Sequence, residues 1–135
     1  MTIETAFNVN NKEETCRNIS GFLYSVLTNP NPHPDWSKDA FLRLLHPESR
    51  ILDLGCGNQS PLKTKSILPN CYYIGLDVGD YNQPAEIPAD EYIIVSPEEF
   101  NNAIVGYEDS VDAVISSHNI EHCLDRYGVV AALAK

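Results

Sequence analysis

Basic residues are scarce in this sequence of 135 residues, which has nine Lys and Arg against nineteen Asp and Glu and a formal net charge of −10. Phosphate backbones are bound by clustered Lys and Arg, so this balance argues against nucleic acid as a partner. The excess lies in the second half, since residues 1–68 carry seven acids and seven bases while residues 69–135 carry twelve acids and two bases. Such a surface keeps a protein in solution, and attraction of a basic partner is the alternative explanation.

Long apolar runs are also missing, and none approaches the roughly 20 residues that a membrane-spanning helix requires. Met1-Thr2-Ile3-Glu4 provides no basic region followed by an apolar one, so we expect neither a secretory signal nor a membrane partner. Cysteine is too sparse for a disulfide scaffold, and no two cysteines show C-x-x-C spacing. We therefore expect a cytoplasmic protein with reduced thiols, those of Cys16, Cys56, Cys71 and Cys123.

The first 48 residues are predicted to form a helical leader. Apolar residues recur at helical spacing between 12 and 27, and the proline-rich run at 28–34 then ends that helix. A second helix is predicted over 36–45, with Asp35 as its cap and Pro47 beyond its end. We expect this leader to pack on or beside a domain that spans 49–135.

From residue 50 onward, short apolar segments have the composition of strands that are buried on both faces. Helices are predicted between them, one starting near Ser60-Pro61 with Ser60 as its cap, and one capped by Ser96, where Glu99 can complete a capping box. The connection over 78–91 is irregular, and is either a functional loop or a surface excursion. The alternation predicts an α/β fold, a Rossmann-like parallel sheet with helices on both faces. The predicted strands are 51–54, 72–76, 92–95 and 111–115, followed by a helical stretch over 120–135 with an interruption near 125–128.

Two glycines and two aspartates carry the strongest chemical signal. The strand that ends in Asp53-Leu54 meets Gly55-Cys56-Gly57-Asn58, and glycines at a strand-to-helix turn let the backbone approach a ligand closely. The next strand ends at Asp77, 20 residues after Gly57, where a carboxylate can accept hydrogen bonds from both hydroxyls of a ribose. A lone G-x-G is weak, but this combination predicts a site for a nucleoside-containing cofactor.

The dinucleotide fingerprint G-x-G-x-x-G fits these residues less well, because Ser60 occupies the place of its third glycine. The sequence instead resembles the S-adenosylmethionine-dependent methyltransferases of the Rossmann-like class I family. Ile51-Leu52-Asp53-Leu54-Gly55-Cys56-Gly57 is similar to that family's first motif and Tyr73-Ile74-Gly75-Leu76-Asp77 to its second. The segment Val111–His122 resembles the fourth strand and the Glu-His turn after it. These motifs cover 50–124 and indicate the cofactor, while they are silent about the methyl acceptor.

The resemblance implies roles for the matching positions around the glycines. Gly55 and Gly57, with Cys56 between them, would pass under the methionine part of S-adenosylmethionine. Asp53 would help to hold its amino group, directly or through water. Asp77 would bind the ribose.

The later motifs imply the other walls of the same pocket. The family often has an acid after its third strand, beside the adenine, where this chain has Ser96 or, further on, Glu98. Ser116, Ser117 and His118 would line the pocket at the end of the fourth strand.

His118 has two further interpretations. It follows a parallel strand at the end where ligands bind, so it is placed to act as a catalytic base if the acceptor must lose a proton. His118 and His122 also lie one helical turn apart with Glu121 between them, but a metal site would need a third ligand. We therefore expect no metal, and a hydrogen-bonding role for the Glu-His pair.

The sequence ends at Lys135 inside a predicted helix, and the family's sheet has more than the four strands supplied here. An open fourth strand would expose unpaired backbone groups. We favour a fragment of a longer methyltransferase over two alternatives, self-association through the open sheet edge and a degenerate domain. The predicted function is methyl transfer from S-adenosylmethionine to a small-molecule acceptor. A non-catalytic cofactor- or partner-binding remnant of the same fold is the alternative, and a nicotinamide-binding domain is a third option.

Overall fold

The structure, a computed structural model, describes residues 38–134. The predicted leader helix over 12–27, the proline-rich run and the start of the second predicted helix lie outside the described residues, so the boundary at 48 stays a prediction. Helices α1 to α4 span Lys38–Leu42, Ser60–Ile67, Phe100–Val105 and Arg126–Leu133. Strands β1 to β4 span Arg50–Leu54, Tyr72–Asp77, Glu91–Ile94 and Ala113–Ser116, and a 3-10 helix spans Ile120–His122.

The four strands form one parallel sheet in the order β3-β2-β1-β4. Leu54, the last residue of β1, pairs with Leu76 of β2 on one side and with Ser116 of β4 on the other. These three strands therefore end at the same edge of the sheet. The predicted α/β fold with a parallel sheet is confirmed at this level, and each strand lies within two residues of its predicted bounds.

Both faces of the sheet are buried, which explains why the strands are almost continuously apolar. Adjacent residues of a strand point to opposite faces, so Ile51 and Leu52 of β1 belong to different cores. Helices α1 and α2 cover the Ile51 side, and α3 and α4 cover the Leu52 side. Full burial of one leucine or isoleucine side chain contributes about 1.5–3 kcal/mol to the stability of the fold. The cores include Leu42, Leu45, Leu68 and Tyr73 on the first side, and Leu54, Ile74, Leu76, Phe100, Ile104 and Val129 on the second.

The predicted caps of two helices are wrong. Ser60 is the first residue of α2 rather than its cap, and Gln59 before it has a left-handed backbone with φ 61°. The Ser60 hydroxyl donates to the buried carboxylate of Asp53, so it does not serve the helix. Helix α3 begins at Phe100 instead of near Ser96, and no side chain caps it. Residues 96–99 form a turn that is closed by a hydrogen bond from Glu99 N to Ser96 O. Helix α3 starts after this turn, at Phe100, whose side chain is buried in the core.

The end of the described chain follows the prediction more closely. The 3-10 helix is separated from α4 by residues 123–125, close to the predicted interruption. The Asp125 side chain accepts a hydrogen bond of 2.9 Å from Gly128 N at the start of α4. This capping bond uses the short polar side chain that the first turn of a helix favours.

Strands β3 and β4 are the edges of the sheet in the part of the chain that the structure describes. Side chains of β4 alternate between buried and exposed, with Ala113 and Ile115 inside. Self-association through this edge stays a prediction. None of the helices within residues 38–134 has the length and apolar character needed to cross a bilayer.

Candidate functional site

The strand order creates a switch point between β1 and β4. The chain moves outward from β1 to β2 and β3, and then returns to the other side of β1 to form β4. The connections that follow β1 and β4 therefore leave the sheet in opposite directions and open a crevice at its carboxyl edge. Ligands of open parallel sheets bind in this crevice. A cleft of about 430 Å³ lies here, which we call the glycine cleft; it is bordered by Gly55, Gly57, Asp77 and residues 117–119.

The backbone turns sharply between β1 and α2. Gly55 has φ 73°, and the two residues before α2, Asn58 and Gln59, are also left-handed. A Cβ added to Gly55 would lie 2.5 Å from the Cβ of Asn119, so only glycine fits there. A Cβ on Gly57 would lie 3.3 Å from the side chain of Tyr81, across the mouth of the cleft. The space over Gly55 is therefore occupied by Asn119, and the space over Gly57 is bordered by Tyr81.

Asp77 lies beside this bend, at the end of β2. Its Oδ2 accepts a hydrogen bond of 3.0 Å from Gly57 N, and its Oδ1 accepts one of 2.7 Å from Val78 N. The two bonds fix the carboxylate at the border of the glycine cleft. Each carboxylate oxygen has a further lone pair, so it can still accept bonds from ligand hydroxyls.

Asp53 lies beneath the cleft rather than on its surface. Its side chain is 1% exposed, and Oδ2 accepts hydrogen bonds from Ser60 Oγ (2.5 Å), Tyr73 Oη (2.5 Å) and Lys38 Nζ (3.1 Å). Burial and the Asp53 carboxylate raise the pKa of the Tyr73 hydroxyl far above its usual range, so it stays a donor. Lys38 and Ser60 border the cleft, and Lys38 Nζ also bonds to Ser60 Oγ. Asp53 thus holds the groups that face a ligand.

Cys56 belongs to the core. Its side chain is fully buried, close to Gly75, where an added Cβ would lie 2.8 Å from the sulfur. Burial, and then the carboxylates of Asp53 and Asp77, raise the pKa of the Cys56 thiol to about 12. The thiol is therefore protonated at neutral pH, and only the main chain of this residue, whose oxygen accepts from Gln83 Nε2 at 2.7 Å, faces the bend.

Residues after β4 form the opposite wall. Ser117 and His118 border the glycine cleft, whereas Ser116 is exposed and does not. His118 has φ 54°, and its imidazole is 94% exposed. Glu121 Oε1 lies 3.6 Å from His118 Nδ1 and 3.9 Å from His122 Nε2, which is too far for a hydrogen bond, so the predicted hydrogen bonding of the Glu-His pair is not formed between these side chains.

Ser96 is not brought to the cleft. It lies after β3 at a separate shallow depression, beside Val95 and Glu99. A second cavity of about 270 Å³ is bordered by Val78, the residue after Asp77, and by Phe100, Asn119 and Cys123 among others. We call it the side cavity.

Sequence reasoning missed several residues of the glycine cleft. Lys38 and Lys63 give it two ammonium groups, and Lys63 Nζ donates to Asn58 O at 3.0 Å. Tyr81 comes from the irregular 78–91 segment, for which a functional loop and a surface excursion were both open interpretations. That segment is tied to the bend by a 2.8 Å hydrogen bond from Asn58 N to Tyr81 O. Asn119 directly follows His118, within the segment Val111–His122 that resembles the family's fourth strand and turn.

Fold and site together define an α/β protein with a polar ligand cleft at the switch point of its parallel sheet. Comparison with family models, with curated proteins and with solved structures found no match to this chain.

Proposed function

We propose that the chain is a Rossmann-like, S-adenosylmethionine-dependent methyltransferase domain that acts on a small-molecule acceptor. One observation carries the proposal: the Asp77 carboxylate lies 3.0 Å from Gly57 N, at the switch point of a parallel sheet. This arrangement puts a ribose-binding acid next to a bend that only a glycine at position 55 permits. The first two motifs of the family resemblance meet at this point.

The residues present fit an adenosyl ligand in their chemistry. Asp77 would accept from the ribose hydroxyls, and the space left at Gly57 would admit the methionine part. The base would lie against Val78 and Phe100 in the side cavity instead of near Ser96. Lys38, anchored by Asp53, would face the ligand carboxylate. The implied role of Asp53, which was to hold the amino group directly or through water, is thereby replaced by the anchoring of Lys38.

The cofactor supplies an electrophilic methyl group on a sulfonium. The protein then contributes mainly by aligning donor and acceptor and by excluding water. An acceptor hydroxyl or amine must also lose a proton, and His118 is the proposed base. Its Nδ1 lies 3.6 Å from the Glu121 carboxylate, which would stabilise the imidazolium that forms.

Charge and thiol chemistry support the remaining parts of the proposal. A net charge of −10 disfavours a nucleic acid substrate and leaves a small molecule as the acceptor. The described cysteines Cys56, Cys71 and Cys123 are free thiols, as is usual in a reducing compartment. A cytoplasmic location is proposed on this ground.

A non-catalytic ligand-binding domain is the second candidate. The observation in its favour is that His118 is 94% exposed, so its imidazole is not enclosed with a bound acceptor. The two lysines at the cleft are ammonium donors, Lys38 to Asp53 at 3.1 Å and Lys63 to Asn58 O at 3.0 Å, so neither is placed to accept a proton. Binding without turnover would support this candidate.

Calorimetry with S-adenosylmethionine, its demethylated product and NADH tests the proposal. We expect the two adenosyl compounds to bind and NADH to fail. Asp77→Ala should weaken binding at least about tenfold, since it removes a charge-assisted pair of hydrogen bonds. Asp80→Ala, in the same connection but outside the cleft, is the matched control and should bind like the parent. Absence of adenosyl binding, or equal binding by Asp77→Ala, would refute the proposal.

A survey of acceptors then separates the two candidates. Turnover by the parent that His118→Ala reduces would support both the enzyme and the base. Turnover that His118→Ala leaves unchanged would remove only the base. Adenosyl binding without turnover on any acceptor would favour the non-catalytic domain.

A further inference from the structure

Asn119 stands between the two cavities at the carboxyl edge of the sheet. Among residues 38–134 it alone borders both the glycine cleft and the side cavity. Its Cβ and Oδ1 lie 2.5 and 2.6 Å from the position that a Cβ on Gly55 would take. The Asn119 side chain therefore lies directly over Gly55, in the space that the glycine leaves.

The main chain and the side chain of Asn119 are held with unequal strength. Asn119 O accepts a hydrogen bond of 2.9 Å from His122 N, so the backbone is fixed by the 3-10 helix. The side-chain Nδ2 donates to Cys123 Sγ at 3.6 Å, and thioether or thiol sulfur is a weak acceptor. The side chain can therefore rotate at little cost while the backbone stays in place.

Three neighbouring features favour such a rotation. Asn119 is half-buried, so its amide can reach solvent when it leaves Gly55. The residue before it, His118, is left-handed and sends its own side chain outward, away from the path. The space on both sides of Asn119 is cavity rather than packed core.

We propose that the Asn119 side chain is a movable partition that a ligand must displace when it extends from the side cavity over Gly55 into the glycine cleft. The inference rests on the proposed function, because it takes the ligand to be an adenosyl compound with an amino acid tail. Displacement reduces the apparent affinity for a long ligand and has no effect on one that stays in a single cavity. Asn119 thus determines which lengths of ligand the site prefers.

Calorimetry on Asn119→Ala with two ligands tests the partition. S-adenosylhomocysteine would span both cavities, whereas adenine would occupy only the side cavity. We expect Asn119→Ala to bind S-adenosylhomocysteine about fivefold tighter than the parent and adenine within about twofold. Cys123→Ala removes the weak contact to Nδ2 and the 3.4 Å contact from Cys123 Sγ to Asn119 O but keeps the Asn119 side chain, so it should give a smaller gain for S-adenosylhomocysteine.

Two results would overturn the partition. Weaker binding of S-adenosylhomocysteine by Asn119→Ala would make Asn119 a direct ligand contact. An equal gain for both ligands would mean a general loosening of the site. If neither the parent nor Asn119→Ala bound any adenosyl compound, the proposed function would fail and the partition with it.

A thermal melting cycle tests the underlying contact without a ligand. Gly55→Ala should lower the melting temperature, because its Cβ overlaps Asn119 and its φ is left-handed. In the Asn119→Ala background the same substitution should lower it less, since only the backbone strain remains. Equal losses in the two backgrounds would show that Asn119 does not lie over Gly55.

Discussion

At the amino end of the sheet polar side chains bond to one another, whereas at the carboxyl end they border a cleft. Glu91 accepts hydrogen bonds from Tyr72 Oη at 3.1 Å and Tyr107 Oη at 2.9 Å, and it lies 3.8 Å from Arg50. Arg50 N in turn donates to the Asp112 carboxylate at 2.8 Å. The polar groups at this end are occupied by the fold itself.

The carboxyl end carries more backbone strain. Asn58, Gln59 and His118 all have left-handed φ values there, at a cost of about 1 kcal/mol each. Asp109, near the amino end, is an exception with φ 56°. Strain that is concentrated around a cleft is typical of a functional site. The polar groups of the amino end thus stabilise the fold, whereas those of the carboxyl end border an open, strained cleft, as the proposed site requires.

The largest expected effect tests the layer beneath the cleft. Asp53→Ala should lower the free energy of unfolding by about 3 kcal/mol, because three buried donors lose their acceptor. Urea denaturation measures this loss. Tyr73→Phe, which removes one of the three donors, should cost about 1 kcal/mol. Equal stability of Asp53→Ala and the parent would contradict the buried network.

The two glycines of the bend should respond differently to alanine. Gly55→Ala should cost about 2 kcal/mol of stability, because it combines a left-handed φ with overlap on Asn119. At Gly57 φ is not left-handed and the added Cβ would come no closer than 3.3 Å to Tyr81, so Gly57→Ala should cost less than about 1 kcal/mol. Gly57→Ala should nevertheless weaken adenosyl binding, which calorimetry detects in the folded variant. A Gly57→Ala variant that binds like the parent would separate the bend from the proposed site.

A substitution at the amino end of the sheet should instead lower the stability of the protein and leave adenosyl binding unchanged. Glu91→Ala should lower the free energy of unfolding by about 1 kcal/mol, since two tyrosine hydroxyls and Arg50 lose a partner at the surface. Adenosyl binding at 25 °C should not change, because Glu91 lies at the other end of the sheet. Exposed Glu108→Ala serves as the control for stability. A loss of binding in folded Glu91→Ala would break the distinction between the two ends.

Much of the fold could be predicted because its signals are local. The strands are buried on both faces, so their apolar runs do not depend on which strands become neighbours. Asp77 and Gly57 could be placed together because parallel strands end at one edge of a sheet. The sequence pattern alone did not reveal the strand order or the switch point.

The parts that escaped prediction depend on long-range packing. Ser60 has the spacing of a helix cap, but the buried carboxylate of Asp53 takes its hydroxyl. Lys38 lies 15 residues before Asp53 and reaches it only because α1 packs on the same face as Ile51. Nothing in the local sequence marks Asn119 as the side chain over Gly55. Such contacts follow from the assembled core, and a pattern along the chain cannot report them.

The smallest expected effect is a pH dependence at the amino end. Asp90 loses hydration by partial burial, but bonds of 2.7 Å from Lys65 Nζ and from Tyr73 N outweigh this and lower its pKa below the ordinary 3.8. Because the folded pKa is the lower one, the stabilisation is complete well above pH 3.8 and is lost as the pH falls through the folded value. Asp90→Asn keeps the acceptor for Tyr73 N and removes the charge. Asp90→Asn should lower the free energy of unfolding by about 0.5 kcal/mol at pH 7, because a side chain that is 35% exposed is screened by solvent. Urea denaturation at pH 7 and pH 3 should show that the stability difference between Asp90→Asn and the parent becomes smaller at pH 3. Asp109→Asn is the control. If the stability difference between Asp90→Asn and the parent were as large at pH 3 as at pH 7, or larger, the charge of Asp90 would not be the source of the stabilisation.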